Sequence, residues 1–182
     1  MNHAVRADRL EFVLENMNFE WSIVQLRQVI DYWFEGKSIY DMSDLLKREI
    51  DELVILIVDM AKRRILLERP RGLRACGKIA ITDKEMALKK SRVRHLFEES
   101  PVYIPFIESN LLWYERDLIQ FRKLWSEGQS IVEIAEYFGR NIEEIMFPIL
   151  DQCRKELIEP REGGLLGKEA TADDLNRQSF PV

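Results

Sequence analysis

The sequence of 182 residues predicts a mainly α-helical protein made of two tandem three-helix units. Three observations predict it. Apolar residues recur at spacings of three and four over most of the chain, the period of a helix with one buried face. Glycines and capping residues punctuate these stretches at helix-length intervals. The whole arrangement then occurs a second time, 92 positions further on.

The clearest copy is Leu124 to Ile145. Gly128 closes one helix in the left-handed conformation, and Ser130, with Glu133 three residues on, starts the next with a capping box. Ile131, Ile134, Ala135 and Phe138 give that short helix an apolar face, and the small Ala135 lets a neighbouring helix come close. Gly139 ends it, and Asn141 caps a third helix. This order of helix, turn, capped helix, tight turn, helix is that of a helix-turn-helix. Moved back by 92 positions without a gap, Trp113 falls on Trp21, Trp125 on Trp33, Gly128 on Gly36, Ser130 on Ser38, Arg140 on Arg48 and Asp151 on Asp59. Thirteen identities between Trp21 and Arg64 mark an internal duplication.

Taken in order, residues 1–20 predict an N-terminal helical extension, with Leu10, Val13, Leu14 and Met17 on one face. Residues 21–69 are the first repeat: a helix from Trp21 to Glu35 buries Leu26, Val29, Ile30 and Trp33, a second spans Ser38–Lys47, and a third starts near Ile50. In the first repeat Ser43 stands where the second has Ala135, and Lys47 where it has Gly139, so the sequence leads us to expect a differently built or looser turn. The third helix contains LVILIVDMA, too apolar for one solvated face, which calls for a covering partner: the other repeat, the linker helix or a second chain in a homo-oligomer. Residues 70–110 form a basic segment. Two apolar runs between Ile65 and Thr82 flank a Pro-Arg-Gly turn, consistent either with a small β-hairpin wing or with an irregular basic linker. A helix capped by Asp83 follows, and Pro101 and Pro105 mark the boundary between halves. Residues 111–160 are the second repeat, with Pro148 inside its third helix, and residues 161–182 read as a flexible tail.

The pattern of a leading Trp, a second aromatic a dozen residues on, Glu-Gly-x-Ser, Ile-Ala and Gly-Arg resembles the tryptophan-led helix-turn-helix of Myb/SANT-like and GcrA-type DNA-binding domains, modules common in bacilli and their phages. KIAITDKE is similar to the strand-to-helix exit of MarR-like winged helices. The resemblance implies a bacterial or phage transcriptional regulator that binds double-stranded DNA, and with no 18-residue apolar run and no signal-peptide pattern the chain is expected to be cytoplasmic. Arg71 and Arg74 would then lie at the tip of the wing.

Charge gives the site. The chain has 27 Lys and Arg against 32 Asp and Glu, net −5, yet the stretch 62–97 holds twelve basic residues and only three acidic ones, a local +9. Arg48 and Arg140 at the turns, the wing's Arg71, Arg74 and Lys78, and Lys89, Lys90, Arg92 and Arg94 on the linker helix are the expected phosphate contacts, with Arg63 and Arg64 at the groove edge. Against base reading stand Asp51, Glu52, Glu143 and Glu144, which make both third helices acidic at the end that faces the bases in most such complexes. The alternative is therefore a protein-interaction adaptor that docks through the apolar third helices and does not bind DNA. No catalytic motif is present, Cys76 and Cys153 have neither metal-ligand nor disulfide spacing, and no cofactor or membrane span is indicated.

Overall fold

The structure, a computed structural model, describes residues 9–98 and 100–171. In chain order it contains β1 (Leu10–Phe12), α1 (Ile23–Glu35), α2 (Ile39–Leu46), α3 (Ile50–Lys62), α4 (Asp83–His95), β2 (Leu112–Tyr114), α5 (Glu115–Ser126), α6 (Ile131–Phe138) and α7 (Ile142–Arg154), then a short 3₁₀ stretch at Gly164–Glu169. The chain forms two compact units. The first is Met17–Glu108; the second combines Met1–Asn16 with Ser109–Val182. The fold is mainly α, with one two-stranded antiparallel sheet among the described residues.

In the first unit α1, α2 and α3 enclose Leu26, Ile30, Met42, Leu53, Leu56 and Met60, all fully buried. The helices begin where the side chains say they should. Ser22 and Ser38 make full capping boxes with Gln25 and Asp41, and the bond to Ser38 holds the Asp41 carboxyl below its ordinary pKa. Gly36 closes α1 at φ 81°, where a Cβ would lie 2.2 Å from the carbonyl oxygen of Cys76, so no larger residue fits. The turn between α2 and α3 has the same form as its counterpart in the second repeat, because Lys47 takes the left-handed conformation (φ 54°) that Gly139 takes at φ 60°. A non-glycine residue there costs about 1 kcal/mol, so Lys47→Gly is expected to raise the stability of this unit by roughly that amount in chemical denaturation.

In the second unit α5, α6 and α7 repeat the arrangement around Leu118, Phe121, Ile134, Ile145 and Phe147. Ser130 and Glu133 form the expected capping box, and α7 runs continuously through the buried Pro148. Asn141 makes no side-chain cap. Instead the Glu144 carboxylate accepts from the Asn110 amide at 3.0 Å, as Glu52 accepts from Asn18 in the first unit.

Besides the turn at Lys47, which is not looser than its counterpart, the structure corrects two expectations and decides between two alternatives, each for a physical reason. The extension at 1–20 contains no helix among its described residues: β1 pairs with β2 in the register Leu10↔Tyr114, Glu11↔Trp113, Phe12↔Leu112, and Leu14 turns left-handed at φ 61°. Val13, Leu14 and Met17 are buried, so the apolar spacing reports burial in a turn rather than a helical face. The segment 65–82 forms no wing. Its amides bond instead to the end of α1, Cys76 to the carbonyl of Gly36 and Ile79 to that of Phe34, which leaves no hairpin ladder. The supposed tail from 161 folds back as far as residue 171: the Lys168 amide bonds to Gly128 at 2.9 Å, as Cys76 does to Gly36. The rest of that tail lies outside the described residues.

The duplication therefore extends well beyond Trp21–Arg64, from the lead segments in front of each Trp to Cys76 and Lys168. The lead segments are exchanged. Glu11, in front of the first repeat, pairs with Trp113 of the second, and Tyr103, in front of the second, pairs with Trp21 of the first. These pairs are equivalent at the offset of 92, and so are Leu14 and Phe106, both left-handed, at 61° and 52°. Each exchanged segment meets a buried aspartate of a third helix: the Leu14 amide donates to Asp151 at 2.9 Å, and the Tyr103 hydroxyl donates to Asp59. The covering that α3 needs is supplied in part by Tyr103, which belongs to its core cluster.

Candidate nucleic-acid interface

The eleven basic residues singled out by sequence divide into those held by the fold and those at the surface. Arg48 stacks on the Trp21 ring at 3.7 Å, pairs with Glu52, and donates to the carbonyls of Glu20 and Asn18. Arg140 repeats this on Trp113 at 4.1 Å, donating to Asn110 and Leu112, and burial pushes its pKa down. The Arg48 side chain is 7% exposed. Both turn arginines thus lock the approach to each repeat, and their guanidinium forks are matched to backbone carbonyls. Their place at the turn suggested phosphate; their contacts give a structural role.

Lys89 is buried as well. It donates to the carbonyls of Ile65 at 2.7 Å and Arg64 at 3.4 Å, and burial lowers its pKa, with Arg92 adding to the effect. Lys90 pairs with Asp31 at 2.6 Å. Arg63 donates to Asp59 at 3.0 Å and lies against Tyr103; burial works against its charge, but Asp59 outweighs burial and raises the pKa. Burial likewise moves the Tyr103 hydroxyl well above its ordinary range.

The remaining candidates are, like Arg63, exposed: Arg64, Arg71, Arg74, Lys78, Arg92 and Arg94. Arg64 ends the turn after α3 in the left-handed conformation, and its carbonyl accepts from Arg92 at 3.3 Å. The Arg92 side chain is thereby placed against the backbone that ends α3, at the surface of the first unit.

Sequence reading overlooked a second pair of arginines. Arg69 lies 3.9 Å above Trp33 and donates to the carbonyls of Lys37 and Gly72; Arg161 lies 3.7 Å above Trp125 and donates to those of Trp125, Gln129 and Gly164. The indole N–H groups of Trp33 and Trp125 donate to the carbonyls of Leu67 and Glu159. The signal was there to be read, since Arg161 minus Arg69 and Gly164 minus Gly72 give the same offset of 92.

Among the described residues no group of His, Cys, Asp and Glu is placed to hold a metal ion, and no helix is long and apolar enough to cross a membrane. The architecture of the described residues defines a class: a duplicated three-helix protein with exchanged lead segments. The chain matches no protein-family description, no curated protein and no solved structure.

Proposed function

We propose that the protein binds duplex DNA through the sugar-phosphate backbone, using the basic surface of the first unit, as a sequence-tolerant regulator of the helix-turn-helix kind. The observation that carries this reading is the Arg92 guanidinium held at the Arg64 carbonyl beyond the end of α3, within a stretch of net +9. Arg71, Arg74, Lys78 and Arg94 extend the exposed positive surface. Base reading is not part of the proposal, because both third helices begin with acids: Asp51 and Glu52 in α3, Glu143 and Glu144 in α7. Those carboxylates suit a helix N-terminus and repel phosphate. Binding of this kind releases counterions, so affinity should fall steeply with salt and vary little with sequence.

Fluorescence anisotropy with a duplex at two salt concentrations tests it. Arg71→Ala with Arg74→Ala, and separately Arg92→Ala with Arg94→Ala, are each expected to weaken binding and to lower the log-log salt slope by about 1 for every phosphate that is no longer neutralised. Affinity and slope that do not respond to either pair would exclude this surface. A complete lack of duplex affinity would favour the adaptor reading, which the internal use of Arg48 and Arg140 supports.

A further inference from the structure

Helix α4 occupies a seat on the first unit, and the repeat relation locates the same seat on the second. In the first unit Lys89 donates to the carbonyls of Ile65 and Arg64, Lys90 pairs with Asp31, and Ile65, Phe34 and Val93 are almost completely buried. The backbone at the corresponding place in the second unit is the same. Glu156 is left-handed at φ 56° where Arg64 is at 58°, and the Leu157 amide bonds to Gln152 at 2.8 Å as Ile65 does to Met60 at 2.9 Å. What differs is the cover. Ile65 is 1% exposed and Leu157 is 52% exposed.

An open cavity of about 740 Å³ lies there, bordered by Arg122, Trp125, Ser126, Glu156 and Leu157. Four of these stand at the positions of Ile30, Phe34, Arg64 and Ile65, and in the first unit Lys89 of α4 lies over the Phe34 ring and donates to the Arg64 and Ile65 carbonyls. The chain's own continuation does not offer the same filling. At the offset of 92 the residue equivalent to Lys89 is Pro181, which has no amino group to donate.

We propose that this groove of the second unit is the docking seat for a helix of a partner protein. Its chemistry can be specified from the seat. A lysine meets the carbonyls of Glu156 and Leu157 at the end of α7, where the helix dipole and Glu156 favour a cation. The next residue is acidic, because Lys123 stands where Asp31 receives Lys90, with Arg122 beside it. An aliphatic residue follows four positions after the lysine, as Val93 follows Lys89, to cover Leu157. The proposal is independent of DNA binding, which uses residues of the first unit.

The test uses the full chain and two synthetic peptides, residues 82–97 and the same peptide with Lys90→Glu. Calorimetry should show the altered peptide binding at one per chain and the unaltered one at least about ten-fold weaker, a difference of about 1.4 kcal/mol. Lys123→Glu in the protein should reverse that order, and Leu157→Asp, at an exposed position, should abolish binding while the circular dichroism is unchanged. A preference that Lys123→Glu does not reverse, or binding indifferent to Leu157→Asp, overturns the proposal. So does binding seen only after residues 172–182 are removed, which would make the chain its own occupant. Self-association in sedimentation that Leu157→Asp abolishes would assign the seat to a second copy and overturn it equally.

Discussion

Deleting residues 1–14 should unfold the second unit and spare the first. The deleted stretch precedes the first repeat in sequence, but its described part packs with the second, where Val13 and Leu14 are 0% and 4% exposed. Removing two buried aliphatic side chains forfeits about 3 to 6 kcal/mol of burial, and the buried Asp151 carboxylate loses the Leu14 amide at 2.9 Å, a further loss of about 1 to 3 kcal/mol. A small domain has only about 5 to 15 kcal/mol in total. Hydrogen exchange resolves the two halves. Amides of α5 and α6 are expected to lose protection, and those of α1 and α3 to keep it. Loss that starts between Trp21 and Met60 would mean that the segment serves its own repeat, and the exchange would be wrong.

The second large effect is expected at Arg161. Its guanidinium donates to the carbonyls of Trp125 at 2.6 Å, Gln129 at 2.5 Å and Gly164 at 2.9 Å while lying 3.7 Å above the Trp125 ring. It fastens the chain beyond α7 to the end of α5. Arg161→Ala leaves three carbonyls without this donor, and about 2 to 4 kcal/mol of stability should be lost, discounted for partial exposure. Arg161→Lys should restore little, because an ammonium cannot span three carbonyls and also stack flat on an indole. Thermal denaturation reads the loss, and limited proteolysis should show new cleavage between 160 and 171. A lysine variant as stable as the original would refute the fork geometry. Burial lowers the Arg161 pKa, but an arginine so placed stays charged near neutrality, so the effect should not vary with pH there.

Much of this fold is legible in the sequence because helix ends are local. Ser38 with Asp41, Ser130 with Glu133, and the left-handed Gly36 and Gly128 announce themselves within four residues. The duplication also gives the correspondence of the two repeats, and it extends past Arg64 to Arg69 and Arg161. The partner of a lead segment is a different matter. Glu11 meets Trp113 and Tyr103 meets Trp21, and nothing local tells an apolar segment to prefer the distant copy of its equivalent site. The contacts of Arg48 and Arg140 are hidden in the sequence for a related reason. Arg48 is 27 positions from the Trp21 ring on which it lies, so its contacts become visible only when the chain has folded. The apolar runs after α3 were ambiguous between strand and irregular chain, and amides bonding to the end of α1 decided the matter.

The traded arms have a consequence for how such a molecule holds itself together. A gene coding for one copy alone would yield a polypeptide suited to embracing its twin, an assembly that falls apart on dilution. Joining two such genes in one reading frame makes the embrace intramolecular, with an effective concentration fixed by the tether and not by expression level. Each half can then drift in sequence on its own, one gathering positive charge, while the pairings of Glu11 with Trp113 and of Tyr103 with Trp21 stay the same.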